Sequence, residues 1–489
     1  MDCLPRRLHK GQAIFRCSPI SPIQCRISVT EPLRHRKDQN DMSKKLVKAY
    51  ATSKNSSQRL QEQPPMQFAE DLSQRENELL VIYPEVQYQK ILGFGGAVTE
   101  SVGYVWSKLD AQARDAVLDA YFGSGGIGYT LCRSHIQSCD FSLGNYAYIT
   151  EEDPSLTGFR MDRDRQYLIP MLQKITTICD GQLRLLCSPW SPPAFMKDTN
   201  QMNGGGKLKK QYYGPWSSVI ARYIEEYRQM GIPVWGITIQ NEAKATQKWE
   251  SCVMTAQEER ELLSNHIKPA LHAAGLSDVE VYFWDHNKER AFERTVQFMS
   301  GKESGSEANG VAVHWYAGDH FDALRMIHER FPELKILSTE ACVENFTSTP
   351  PWDHAERYAH DIIGGLNNYL SAFLDWNILL DQTGGPTHIQ NYCNAPVIVH
   401  TDSGRIEFRP SYYYLGHFSK FIRPGAVRIG SSCYTSDLET VAFLNEDNTI
   451  VVTILNRNDT AYPVYLKYQG EIVKMDIAEH SIQSIVFPA

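Results

Sequence analysis

Two glutamates, Glu242 and Glu340, each stand at the end of a short apolar run, the first after Val234-Trp-Gly-Ile-Thr-Ile and Gln240-Asn241, the second after Ile336-Leu337-Ser338-Thr339. A pair of carboxyls can break a glycosidic bond. One protonates the leaving oxygen while the other attacks the anomeric carbon or activates water, and a gap of about 5–5.5 Å between them gives retention of configuration. In such a pair an ionised Glu340 disfavours a second charge nearby, which is expected to raise the pKa of Glu242 and keep it protonated. The ends of the other apolar runs are just as polar and aromatic: Arg133 with Cys139-Asp140-Phe141, Ser188-Pro189-Trp190, Trp284-Asp285-His286, His314-Trp315-Tyr316 and Asp375-Trp376-Asn377.

Residues so placed need a frame that brings many strand ends to one face. Between about Phe94 and Ile422 short apolar runs alternate with segments of helical period, the pattern of a βα repeat. The clearest helix is Pro215–Met230, where Trp216, Val219, Ile220, Tyr223, Ile224 and Tyr227 share one face, Pro215 suits the first turn and Gly231 with Pro233 ends it. Strands are expected over 92–97, 127–134, 182–188, 234–240, 279–285, 311–316, 334–339 and 370–376, many of them near-continuous apolar runs as strands covered on both faces should be. This count predicts an α/β fold, a closed (β/α)8 TIM barrel, with its chemistry at the C-terminal strand ends. The two glutamates then follow the fourth and seventh strands and face each other across the mouth.

From about 423 the texture changes to alternation and turns, as in Thr449-Ile-Val-Val-Thr-Ile-Leu, and Leu79-Leu-Val-Ile-Tyr before the barrel reads the same way. An antiparallel β-sandwich side domain built from both chain ends is expected, from 42–91 and 423–489, around a catalytic barrel at 92–422. Residues 1–41 carry no sustained period and read as a disordered extension, and Met42-Ser-Lys-Lys resembles an ordinary bacterial start.

The 489 residues are 42% hydrophobic and carry a formal charge of −8, which argues against nucleic acid or an anionic membrane as partner and suits a small neutral substrate, a carbohydrate or glycolipid. No window holds the roughly 18 apolar residues of a membrane span. The N-terminal apolar patch Ala13-Ile14-Phe15 stops at Arg16, too short for a signal peptide, so the expected location is cytoplasmic. Eleven dispersed Cys with no C-x-x-C pair fit reduced thiols, and no metal and no cofactor is expected. Gly123-Ser-Gly-Gly-Ile-Gly128 precedes a strand and reads as a turn, not a phosphate cradle. Gly204-Gly-Gly with Lys207, Lys209 and Lys210 reads as a loop beside the substrate entrance. Oligomeric state is not legible in the sequence.

Phe94-Gly-Gly-Ala, Gly126-Ile-Gly-Tyr, Ser138-Cys-Asp-Phe-Ser, Ser188-Pro-Trp-Ser-Pro-Pro, Asn241-Glu242, Val313-His-Trp-Tyr, Ser338-Thr-Glu-Ala-Cys, Asp375-Trp-Asn, Gly384-Gly-Pro and Leu415-Gly-His-Phe-Ser-Lys-Phe occur in one order along residues 75–489. That set resembles glycoside hydrolase family 30, retaining β-glycosidases that include glucosylceramidase-like members. The resemblance implies a β-glucosidase in which Glu242 matches the acid/base and Glu340 the nucleophile. Asp140, Trp190, Asn241, Trp376 and Asn391 match the positions that hold the terminal glucose. β-1,6-Glucanase or β-xylosidase activity is the alternative within the family, and a non-catalytic carbohydrate-binding protein the alternative outside it. Two departures are visible: the family's Asn-Glu-Pro is Asn241-Glu242-Ala243 here, and Arg133 is followed by Ser134-His135. Chemically, Asn241 can donate to a sugar 2-OH and Asp140 can accept from two hydroxyls. Trp190 and Trp376 can pack on apolar sugar faces. Arg133 and Tyr316, with His314 beside them, can hold Glu340 ionised and oriented.

Overall fold

The computed structural model describes residues 46–300 and 307–489; the extension expected at 1–41 lies outside the described residues. Eight parallel strands close into a barrel in chain order: β1 (Gly93–Ala97), β2 (Leu131–Ile136), β3 (Arg184–Pro189), β4 (Val234–Thr238), β5 (Glu280–Asn287), β6 (Gly310–His314), β7 (Lys335–Glu340) and β8 (Ala372–Asp375). β1, β2 and β6 are buried along their whole length; β1 and most of β6 run apolar or small without alternation, whereas β2 buries Arg133, Ser134 and His135. Leu131, Leu186, Tyr282, Ala312, Leu337 and Leu374 cluster separately from the helix-facing core and fill the barrel interior. At Gly95 a Cβ would stand 1.9 Å from the Leu131 carbonyl oxygen, so β1 and β2 close on each other only because glycine is there.

The helix expected at 215–230 spans Tyr213–Gln229 and buries Trp216, Val219, Ile220, Tyr223, Ile224 and Tyr227 against the sheet. Gly231, at φ 78°, takes the left-handed turn that ends it.

The chemistry-bearing strand ends are not regular. Glu242 (φ 46°), Trp284 (φ 75°), Asp285 (φ 44°) and Asn377 (φ 61°) all occupy the left-handed region, and β5 bulges between Trp284 and His286. The backbone there is held by long-range bonds, Glu242 N–H donating to Asp285 O at 2.8 Å and Asn241 N–H to Pro189 O at 2.9 Å.

Both chain ends build one eleven-stranded sheet beside the barrel. Leu46–Ser53 pairs antiparallel with Ser481–Pro488, and Leu79–Lys90 pairs with Val427–Cys433 and with Tyr462–Tyr468. The sheet folds over its own apolar face: Phe68 meets both Tyr468 and Phe487, from distant positions in the strand order. His417, on the helix Pro410–Ser419, lies between the barrel and this sheet. Its ring nitrogens stand 2.9 Å from Ser484 Oγ and 2.9 Å from Thr52 Oγ1, so one imidazole ties the barrel to strands from both termini. Among the described residues no helix is long and apolar enough to cross a membrane.

Candidate active site

Arg133 rises from the middle of β2 and is completely buried, which only several acidic or carbonyl partners can make tolerable. Its Nη1 donates to Glu340 Oε2 at 2.5 Å, Nη2 to Asn241 Oδ1 at 2.7 Å and to Asp285 Oδ2 at 2.9 Å, and Nε to Ser188 Oγ at 3.2 Å. One guanidinium therefore links β3, β4, β5 and β7. Tyr316 O–H donates to the other Glu340 oxygen at 2.9 Å, so both oxygens of this carboxyl are fixed. With its Oδ1 engaged by Arg133, Asn241 turns its amide N–H donors away from the guanidinium.

Asp285 is a second buried hub. It accepts from Thr238 Oγ1 at 2.6 Å, Thr339 Oγ1 at 2.6 Å and Ser188 Oγ at 3.0 Å, besides Arg133. His314 Nε2 stands 3.1 Å from its Oδ1, the oxygen that also accepts from Thr339. Burial raises the Asp285 carboxyl, but Arg133 and His314 outweigh that and hold it well below the ordinary carboxylate range. The sequence reading did not single out Asp285. Its place at the end of the fifth strand was the available signal, but its role depends on partners from five other strands.

The electrostatics of Glu242 correct the expectation drawn from the two glutamates alone. Burial raises its carboxyl as anticipated, yet the hydrogen bond and charge of His314, then His286 and Gln247, outweigh burial and leave the group below its ordinary value. His314 Nδ1 lies 3.3 Å from Glu242 Oε1 and 3.9 Å from Glu340 Oε1. Burial disfavours charge on His314, but Glu340, Asp285 and Glu242 together pull it up to about 9. His314 is thereby favoured as the cation of this pair and Glu242 as its carboxylate partner. Gln247 Nε2 donates to the second Glu242 oxygen at 3.2 Å.

Trp190 and Trp376, each 2% exposed, stack on one another at 5.3 Å and 22° with the Arg133 guanidinium 4.8 and 5.5 Å from their centroids. One face of each ring is spent on the other, so they form a paired apolar base to the site. Asp140 is nearly buried: its Oδ2 accepts from Asn391 Nδ2 at 3.0 Å, and its Oδ1 has no partner among the described residues. Burial first, and the nearby Glu340 next, push its carboxyl well above the ordinary value.

The structure thus brings all ten expected residues, Arg133, Asp140, Trp190, Asn241, Glu242, His314, Tyr316, Glu340, Trp376 and Asn391, to one face of the barrel. The loops after β2, β3, β4 and β8 close over one side of it. Thr387 Oγ1 donates to Asp140 O at 2.8 Å, and His388 Nδ1 lies 3.1 Å from Ser142 O. Buried Glu250 accepts from Asn145 Nδ2 at 2.8 Å and faces His388 Nε2 at 3.5 Å. Buried Lys197 donates to Met202 O at 2.9 Å and Ser251 O at 2.5 Å. The lysine loop expected beside the entrance is pinned as well, Lys207 pairing with Glu258 and Lys210 with Glu261.

Residues 91–422 match the glycosyl hydrolase family 30 TIM-barrel domain, and residues 425–485 match the family's β-sandwich domain. The chain belongs to glycoside hydrolase family 30. It is 31% identical to the lysosomal acid glucosylceramidase of Mus musculus over 405 residues, covering 79% of this chain and 78% of the relative. It is 30% identical to the endo-1,6-β-D-glucanase of Neurospora crassa, covering 83% and 87%. The crystal structure of SrfJ from Salmonella typhimurium superposes with a TM-score of 0.88 at 33% identity, covering 91% of this chain and all of that one. As a family 30 member the protein is a glycoside hydrolase.

Proposed function

We propose that this glycoside hydrolase removes terminal β-glucosyl groups with retention of configuration, Glu340 acting as nucleophile and Glu242 as acid/base. The observation that supports the retaining reading is His314: one imidazole nitrogen lies 3.3 Å from Glu242 Oε1 and 3.9 Å from Glu340 Oε1, so both carboxyls face a single ring across the mouth, as the short gap of a retaining pair requires. Glu340, with both oxygens bound by Arg133 and Tyr316, is aimed for attack at the anomeric carbon. As the leaving oxygen develops charge, the proton held between His314 and Glu242 passes to it from the carboxyl, and water later returns a proton by the same path. Asn241, its carbonyl anchored by Arg133, directs its N–H donors to the 2-OH, where the bond strengthens in the transition state.

Exo action on glucosides is favoured by the closed glycone side, where Asp140, Asn391, Thr387 and His388 join the loops after β2 and β8 into a wall. The likeness to endo-1,6-β-glucanase supports the second reading, internal cleavage of a β-1,6-glucan, in which that wall would have to open. Incubating the protein with aryl β-glucosides, glucosylceramide and a β-1,6-glucan separates the two: release of glucose alone supports exo action, and release of oligosaccharides refutes it. Glu242→Ala is expected to be rescued by azide on an activated aryl glucoside to give the β-glycosyl azide; the α-azide would overturn retention.

A further inference from the structure

We infer that the acid/base end of this site is also a binding site for a single borderline transition-metal ion, Zn2+ or Cu2+, that blocks the proton-transfer carboxyl. Glu242 Oε1, His314 Nδ1 and His286 Nδ1 converge from the loop after β4, from β6 and from β5. The first two atoms are 3.3 Å apart, Glu242 Oε1 and His286 Nδ1 are 3.7 Å apart, and the three residues offer donor atoms all within 4.8 Å of one another. A tetrahedral ion bound at about 2.0–2.2 Å spaces its ligands roughly 3.3 Å apart, so small rotations of the two imidazoles and the carboxylate complete the triangle. Once the proton on His314 Nδ1 is released to solvent, two histidines and a glutamate form a donor set that suits Zn2+ and Cu2+ and not Mg2+ or Ca2+, which demand oxygen.

Two further features point the same way. His286 Nδ1 is buried against this group with no hydrogen-bond partner among the described residues, although a buried imidazole nitrogen ordinarily has one. Behind His314, Nε2 faces Asp285 Oδ1 at 3.1 Å, and Asp285 is itself fixed by Arg133, Thr238, Thr339 and Ser188. That carboxylate orients the ring with Nδ1 toward the site, the outer support that metal-binding histidines use. The charge of Glu340, 3.9 Å from His314 Nδ1, adds attraction for a cation. His286 is supplied by the bulge in β5, which turns Asp285 inward and lets the next side chain reach the same mouth.

The binding does not depend on the glucosidase reading; only the predicted inhibition rests on it. The test is titration of the metal-free full chain with ZnCl2 by calorimetry, together with visible spectroscopy of the Co2+ form. One Zn2+ per chain is expected, with affinity falling at least about tenfold in His286→Ala and in Glu242→Gln. The Co2+ form should show tetrahedral ligand-field bands without a thiolate charge-transfer band. No stoichiometric binding, binding unchanged in both variants, or a thiolate band assigning the ion to Cys342 and Cys393 would each overturn the inference. Zn2+ should also inhibit aryl glucoside hydrolysis in the unmodified chain and inhibit His286→Ala at least about tenfold less strongly. A chain that binds Zn2+ as expected but hydrolyses no glucoside refutes the proposed function and leaves the metal site standing.

Discussion

Asp140→Ala tests how the site chooses its sugar. The Asp140 carboxyl is 5% exposed, gives one oxygen to Asn391 at 3.0 Å and leaves the other without a donor inside the described protein. A glucosyl group supplies that donor. Leaving a buried acceptor without its partner costs about 1–3 kcal/mol, so a sugar lacking a distal hydroxyl should react about 5- to 150-fold more slowly in kcat/KM. Aryl β-glucoside should be preferred over aryl β-xyloside by that ratio. Asp140→Ala removes both acceptor oxygens and should lower kcat/KM on the glucoside by about 100-fold or more, while shrinking the glucoside-to-xyloside ratio by about tenfold. Among the described residues the carboxyl makes a single bond, to Asn391, so the variant should still fold, which thermal unfolding checks. Steady-state kinetics on the two aryl glycosides decides the matter. Equal rates on both sugars in the unmodified protein, or a ratio unchanged by the substitution, would refute the reasoning.

Arg133→Met strips two buried carboxylates of their partner and is expected to cost about 3–5 kcal/mol, seen as a Tm lowered by a few degrees in a chain this long, with activity abolished; an unchanged Tm would show that Asp285 and Glu340 are stable without it. His417 is held down to about 3 by burial, against an ordinary value of 6.5, so the unfolded chain takes up the proton first as pH falls. Its contribution is full above about pH 6.5 and is lost toward pH 3, about 2 kcal/mol by pH 5. His135, lowered to about 4 by burial, acts in the same direction, while Asp164, raised to about 6, acts in the opposite one. The diagnostic is therefore the difference in urea stability between pH 7 and 5, which His417→Gln should reduce; an equal difference in both proteins would refute the assignment. Truncation after residue 422 removes the strand that pairs with Leu46–Ser53 and exposes the apolar side of the barrel, so insoluble protein is expected in a sedimentation assay. A soluble, active truncated chain would show that the barrel folds alone.

Local pattern was enough for the barrel and for the two glutamates. A parallel strand buried on both faces is mostly apolar or small along its length, a property of a few consecutive residues, so most of the eight strands were legible before any contact was known; β2, which buries Arg133, Ser134 and His135, spans Leu131–Ile136 where 127–134 was expected. The rule that chemistry sits at the C-terminal strand ends then picked out Glu242 and Glu340, and the family motifs added Asp140, Asn391 and the two tryptophans. What the sequence did not determine is the state of those groups. From two carboxyls alone the pKa of Glu242 should rise, whereas His314, more than seventy positions away in the chain, lowers it. Asp285 reads as one more polar rim residue until Arg133, Thr238, Thr339 and His314 are placed around it. The thiols of Cys342 and Cys393, dispersed in sequence, meet at 3.4 Å beside Tyr316. A pKa or a ligand set is a sum over neighbours within a few ångströms, and in a closed barrel those neighbours come from strands remote in the chain, so only the tertiary structure decides it.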